Sequence, residues 1–273
     1  MRSSNPVFSS LTKTKNAAGR GYAQAGYDQA GFGQPGYGAP YGGYGAPATA
    51  ERAMTVDDVV SKTGIVLGII MGLGALVYAA SLLVNPAIGG LALIVGAIGG
   101  LITVLIATFG KKYGSAPVTI GYAVFEGLFV GGVSFAFAGF NSGIIGQAVI
   151  ATIGVFVGML WVYKAGVIRV TPKFTRFITA AIVGVLFLAV GNLISALVFG
   201  FNPLRGDGPM AIGFSIVCII LASLSFLQDF DSADQLVRAG APAKMAWGVA
   251  LGLAVTLVWL YTEILRLLSI LRD

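Results

Sequence analysis

From residue 54 onward the chain alternates long apolar runs with short polar breaks. Seven runs, at roughly 64 to 84, 87 to 109, 117 to 139, 143 to 163, 177 to 201, 209 to 229 and 245 to 268, each approach the ~20 residues that carry an α-helix across the hydrocarbon of a bilayer. The breaks are short, so successive helices should be antiparallel neighbours. The pattern predicts an all-α integral membrane protein, a seven-transmembrane-helix bundle over residues 54–273. Ahead of the first run, MTVDDVVSKT reads as a helix start. Thr55 is the expected N-cap, and Asp57 and Asp58 fall in the first turn, where the helix dipole favours negative charge.

Residues 1–53 have a different character. In GYAQAGYDQAGFGQPGYGAPYGGYGAP the glycine, tyrosine, proline, alanine and glutamine recur in irregular Gly-Tyr units, without the aliphatic residues that bury a core. A disordered cytoplasmic tail is expected, with Tyr22, Tyr27, Phe32, Tyr37, Tyr41 and Tyr44 able to act as weak self-association contacts. No apolar stretch and small-residue cleavage site mark it as a signal peptide.

Composition narrows the chemistry. Of 273 residues, 56% are hydrophobic and only 10% charged, whereas a soluble domain carries about 25% charged residues. The absence of histidine removes the usual zinc ligand, neutral-pH switch and general base, so any pH response rests on carboxyls. The lone Cys218 sits in an apolar run and reads as a small packing residue. No H-E-x-x-H, nucleophile elbow or phosphate-binding loop occurs, and no enzyme activity is expected.

The net charge of +6 follows topology and implies no nucleic-acid partner. Basic residues fill the tail and the breaks after runs two, four and six. The breaks after one and three hold none, and that after five holds only Arg205. This alternation places the N-terminus in the cytoplasm and, with seven crossings, the C-terminus outside, although Arg266 and Arg272 run against it. Gly96 and Gly100, and Gly127 and Gly131, have the G-x-x-x-G spacing that lets helices approach closely in lipid.

Acidic residues in apolar runs are the candidate functional groups. A charged carboxylate at membrane depth costs about 2.5–3.5 kcal/mol on insertion scales, so it needs a partner. Asp229, Asp231 and Asp234 lie at the end of run six, Glu126 lies in the middle of run three and Glu263 lies late in run seven. Lysines and arginines fall in the tail, the breaks or near span ends, so the expected partner is a proton or a metal cation. Two structural explanations stand beside this one: Glu263 and Arg266, at i and i+3, can form an ion pair, and the aspartates can mark the interfacial end of span six. Asp229 and Asp231 should point to different sides of the helix, while Asp231 and Asp234 share one. Carboxyls brought together between spans six and seven would share a proton at low pH and admit a cation when ionised. Oxygen ligands favour a hard cation such as calcium, transported or bound; no other cofactor is expected. With a turn near Gly240 to Pro242, Glu263 lies about 21 residues beyond it, ~30 Å, and Asp231 only about ten residues before it. An ideal hairpin would keep them apart. Either span six continues past the aspartates or Glu263 pairs elsewhere.

SNPVF, MTVDDVVSKT, FEGLFVGG, QDFD, GAPAKMAWG and TLVWLYTEILRLLSILR together resemble the Bax inhibitor 1/YccA (transmembrane Bax inhibitor motif) family, in particular its actinobacterial branch with a Gly/Tyr-rich N-terminal extension. The resemblance implies a seven-helix fold of the bacterial inner membrane with the last helix central. It also implies a pH-dependent calcium leak set by a pair of acids on helices six and seven. By motif these correspond to Asp231 or Asp229 and to Glu263, which stands where aspartate is usual. Two other functions remain open: a membrane regulator that binds a membrane protease or other protein partner through the tail, and a proton-coupled transporter relaying through Glu126 and Glu263.

Overall fold

The computed structural model describes residues 52–139, 142–206 and 208–272. The expectations for the tail before Arg52, including disorder and tyrosine-mediated association, lie outside the described residues. Seven helices follow in order: α1 Val56–Leu83, α2 Ala87–Phe109, α3 Ala116–Ala138, α4 Ser142–Lys164, α5 Pro172–Phe199, α6 Pro209–Arg238 and α7 Met245–Ile270. All are long and apolar enough to cross a membrane, so the expected seven-span bundle is the observed one.

Local signals account for several ends. Thr55 accepts from the Asp58 amide, and the Asp58 carboxylate receives the Thr55 amide in return at 3.0 Å, a reciprocal cap that starts α1 eight residues before the apolar run. Thr171 caps α5 one way, accepting from the Phe174 amide, with Pro172 in the first turn. Gly200 ends α5 in the left-handed region, at φ 65°. Helix α6 runs to Arg238, well past the apolar run that predicts it. Its polar last turns still present Ala233, Leu236 and Val237 to the core. The chain then reverses at Ala239–Lys244, where Gly240 takes φ 64°.

The last helix is the hub. Of its apolar window 78% is buried in the bundle, against 6% for α5, which packs chiefly on α6 and buries just Ile178 and Asn192. Helix α7 contacts α1, α3, α4 and α6. Helix α3 packs against both α1 and α2 through glycine. Gly127 and Gly131 meet Ile70, Leu73 and Val77 of α1, while Gly96 and Gly100 meet α3 from α2. In lipid no water is released between helices, so this close van der Waals contact replaces the hydrophobic driving force of soluble proteins.

Backbone pairing fastens one end. Met54 N–H donates to the Ala241 carbonyl at 2.7 Å and Ala243 N–H to the Arg52 carbonyl at 2.8 Å, so the segment entering α1 lies antiparallel to the α6–α7 turn. Lys62 Nζ adds a bond to the Ala243 carbonyl at 2.6 Å. Arg52, Lys62, Lys111, Lys112, Lys164, Arg169, Lys173, Arg176, Arg238 and Lys244 lie toward this end, against Arg205, Arg266 and Arg272 at the other.

Candidate proton and cation site

The two aspartates that helical spacing separates do diverge. Asp229 faces α7, where Thr256 Oγ1 donates to its Oδ2 at 2.7 Å. Asp231 instead receives Gln235 Nε2 at 2.6 Å from the next turn of its own helix. Asp234 pairs with Arg238 at 2.8 Å and receives the Tyr163 hydroxyl at 3.5 Å. Asp231 and Asp234 are therefore tied to local partners near the end of α6, and Asp229 alone reaches across to the last helix.

Glu263 has found a cation. Arg266 grips its Oε2 with Nη2 at 2.6 Å and Nε at 3.2 Å, and the two residues are only 3% and 2% exposed. The i, i+3 ion pair is thus the explanation that holds for Glu263, whose partner is an arginine and not the expected proton or metal cation. Arg266 comes near the end of its helix, but the connection between α5 and α6 closes over it. Arg266 Nη1 donates to the Leu204 carbonyl at 3.0 Å, and the guanidinium lies 5.8 Å from the Phe214 ring centre. Arg205, half exposed, approaches Glu263 Oε1 at 3.7 Å. Asn192 of α5 holds the connection from beneath, receiving Leu204 N–H at 3.0 Å and donating to Asn202 at 2.6 Å.

Glu126 and the Glu263–Arg266 pair line one cavity of about 400 Å³ between α2, α3 and α7, with Tyr122, Trp259 and Arg205 also in its wall. Two cross-helix bonds, Thr119 to the Trp247 carbonyl at 3.2 Å and Ser134 with Tyr261 at 2.7 Å, set α3 against α7. That offset of 128 and 127 residues puts Glu126 level with about Ala254, close to the depth of Thr256. Glu126 and Asp229 thus flank the last helix at similar depth. Glu263 lies seven residues beyond Thr256, ~10 Å further along the axis. The structure does not bring the Glu263 carboxylate to Asp229 or Asp231; the group on α7 that meets the helix-six acid is a threonine hydroxyl.

The family model described as Bax inhibitor 1 like matches residues 5–273. The chain belongs to the Bax inhibitor 1 like family. No curated protein matches it. Within this family member, the acid pair implied by the resemblance becomes one acid and one hydroxyl, Asp229 with Thr256. Neither Asp229 nor Glu126 has an ion-pair partner among the described residues. Tyr113, in the α2–α3 connection, also neighbours Asp229. Burial first, and then the Asp229 charge, push its hydroxyl up to about 12, so it remains a neutral donor at physiological pH. Among the described residues no three acidic or sulfur side chains converge as a metal cage would require.

Thr256, Tyr113 and Tyr122 carry polar groups in this site that acid-centred sequence reading passes over. Replacing Thr256 by valine removes the donor but keeps the shape, and should cost about 1–3 kcal/mol by leaving a buried acceptor unmatched. Thermal unfolding of detergent-purified protein measures it. A loss under about 0.5 kcal/mol would mean that the bond adds nothing to the α6–α7 contact, below the usual range for such a bond.

Proposed function

We propose that this chain is a proton-controlled cation leak or sensor of the bacterial cytoplasmic membrane, with calcium as the ion and Asp229 as the controlling group. The observation that carries the reading is the contrast between two buried acids. Glu263 is neutralised by Arg266, whereas Asp229 has no ion-pair partner among the described residues and takes one hydroxyl, that of Thr256, across the seam between α6 and α7. A neutral carboxyl is tolerated in that seam. An ionised one costs about 2.5–3.5 kcal/mol at mid-span, roughly two decades in an equilibrium constant, unless water or a cation reaches it. Proton loss therefore favours a state in which the seam opens to a cation, and proton binding favours the closed one. Hard cations suit this setting because its donors are oxygens, and a path that conducts needs weak contacts rather than a tight cage.

Orientation follows from charge. The end of the bundle where α1 begins carries most of the basic residues, which supports an N-terminus in the cytoplasm and a C-terminus outside. The cavity then lies toward the outer half, with Arg205 and Arg266 at its outer end and Glu126 near its inner end beside Tyr122.

Calcium entry into dye-loaded proteoliposomes between about pH 6 and 8 tests the reading, since the closed state is the protonated one. Wild-type leak should rise with pH. Asp229→Asn, permanently neutral, should stay closed throughout, while Asp231→Asn should keep the wild-type response because its side chain bonds within its own helix. No leak above empty liposomes at any pH would end the channel reading, and a pH response intact in Asp229→Asn would move control elsewhere.

A further inference from the structure

The cavity between α2, α3 and α7 has a chemistry that calcium does not explain. Its volume of about 400 Å³ suits a small organic molecule, for which sites of about 300–1,000 Å³ are usual. At the outer end, Glu263 is already neutralised by Arg266 and faced by Arg205. The deep end has one carboxylate, Glu126, with no ion-pair partner among the described residues and only the Tyr122 hydroxyl beside it. The wall carries Tyr122 and Phe129 beside it and, further out along the cavity, Trp259 and Phe137. On the α2 side Gly100 leaves room for the carboxylate itself, since an added Cβ would stand 2.9 Å from Glu126 Oε2.

These features discriminate between classes of cation. A calcium ion takes six to eight oxygen ligands, and the deep end offers one carboxylate and one phenol. An organic ammonium ion needs one counter-charge. It also buries its own carbon surface against the rings and gains attraction from their π faces, most strongly where water is excluded. We infer that this cavity binds a small organic ammonium ion, with Glu126 as the counter-charge and the Trp259 side of the cavity as its aromatic wall. The inference stands apart from the leak reading, which is centred on Asp229.

Titration calorimetry of the full chain in phosphatidylcholine nanodiscs, with benzyltrimethylammonium as probe and benzyl alcohol as its uncharged counterpart, tests it. The ammonium should bind saturably, benzyl alcohol should not, and Glu126→Gln should weaken ammonium binding at least tenfold. Trp259→Leu provides an independent check and should weaken it severalfold. Absence of saturable heat from the folded wild type, or equal binding to Glu126→Gln, or equal binding of the alcohol, would overturn the inference. The two ideas fail separately: a pH-dependent leak without ammonium binding removes only this one, and ammonium binding without a leak removes only the leak.

Discussion

Replacing Arg266 by methionine is expected to destabilise the protein by about 3–5 kcal/mol, because it strands a buried carboxylate. Glu263 is 3% exposed and its two short bonds both come from Arg266. The remaining cation, Arg205, stands 3.7 Å off on a half-exposed side chain and cannot replace a two-pronged grip. Loss of the Leu204 carbonyl contact would also free the α5–α6 connection from α7. The pair as a whole is a different matter. Changing both residues to apolar ones removes the stranded charge, so Arg266→Met with Glu263→Met should recover most of the loss, and the double-mutant cycle should show coupling of a few kcal/mol. Arg266→Lys should fall between the two, since an ammonium cannot hold Glu263 by two bonds while also reaching Leu204. Unfolding midpoints in detergent would read the wild type, the two single methionine variants, the double variant and Arg266→Lys. A single Arg266→Met variant within about 1 kcal/mol of wild type would refute the claim that this pair is charged and buried.

That pair also marks the boundary of what the sequence made legible. The i, i+3 spacing of Glu263 and Arg266 was plain, but their burial depends on Leu204 and Phe214, 62 and 52 residues away, and no local pattern encodes that. The seven spans, the Thr55 cap, the turn at Gly240 and the two G-x-x-x-G stretches were all readable, because each rests on periodicity or backbone preference within a few residues. The length of α6 was not, since a hydropathy window stops at the polar stretch QDFDSADQLVR although its apolar positions keep a helical spacing. The partner of Asp229 was nearer to reach. Hairpin arithmetic about the turn places Asp229 about twelve residues before it and Thr256 about fifteen after, almost opposite, but attention to acids alone passed over a threonine. The placing of Glu126 and the Glu263 pair on one cavity required the register of α3 on α7, which rests on Ser134 with Tyr261 and Thr119 with Trp247. Two hydroxyls in long apolar runs do not announce a register in advance.

Gly96→Val should be nearly as damaging as the loss of Arg266, for a steric reason. A Cβ at Gly96 would lie 2.6 Å from the Phe125 carbonyl oxygen and 2.7 Å from Phe129 Cα, both backbone atoms of α3 that no rotamer change can move. The two helices would have to separate, and along a seam held by close contact every neighbouring pair would weaken with them. Overpacking in a tight core typically costs about 1–3 kcal/mol, and a valine at a backbone-to-backbone contact belongs at or above the upper end. Gly68 provides the internal control. It lies in the same kind of G-x-x-x-G run, with Gly64 and Gly72, but nothing stands within 4 Å of a Cβ there. Gly68→Ala should therefore be neutral or stabilising by up to about 1 kcal/mol, because alanine is the better helix former. Comparing the thermal midpoints of the two variants separates glycine kept for close approach from glycine that is merely abundant. If both variants melted alike, close backbone approach at Gly96 would not be what holds α2 against α3.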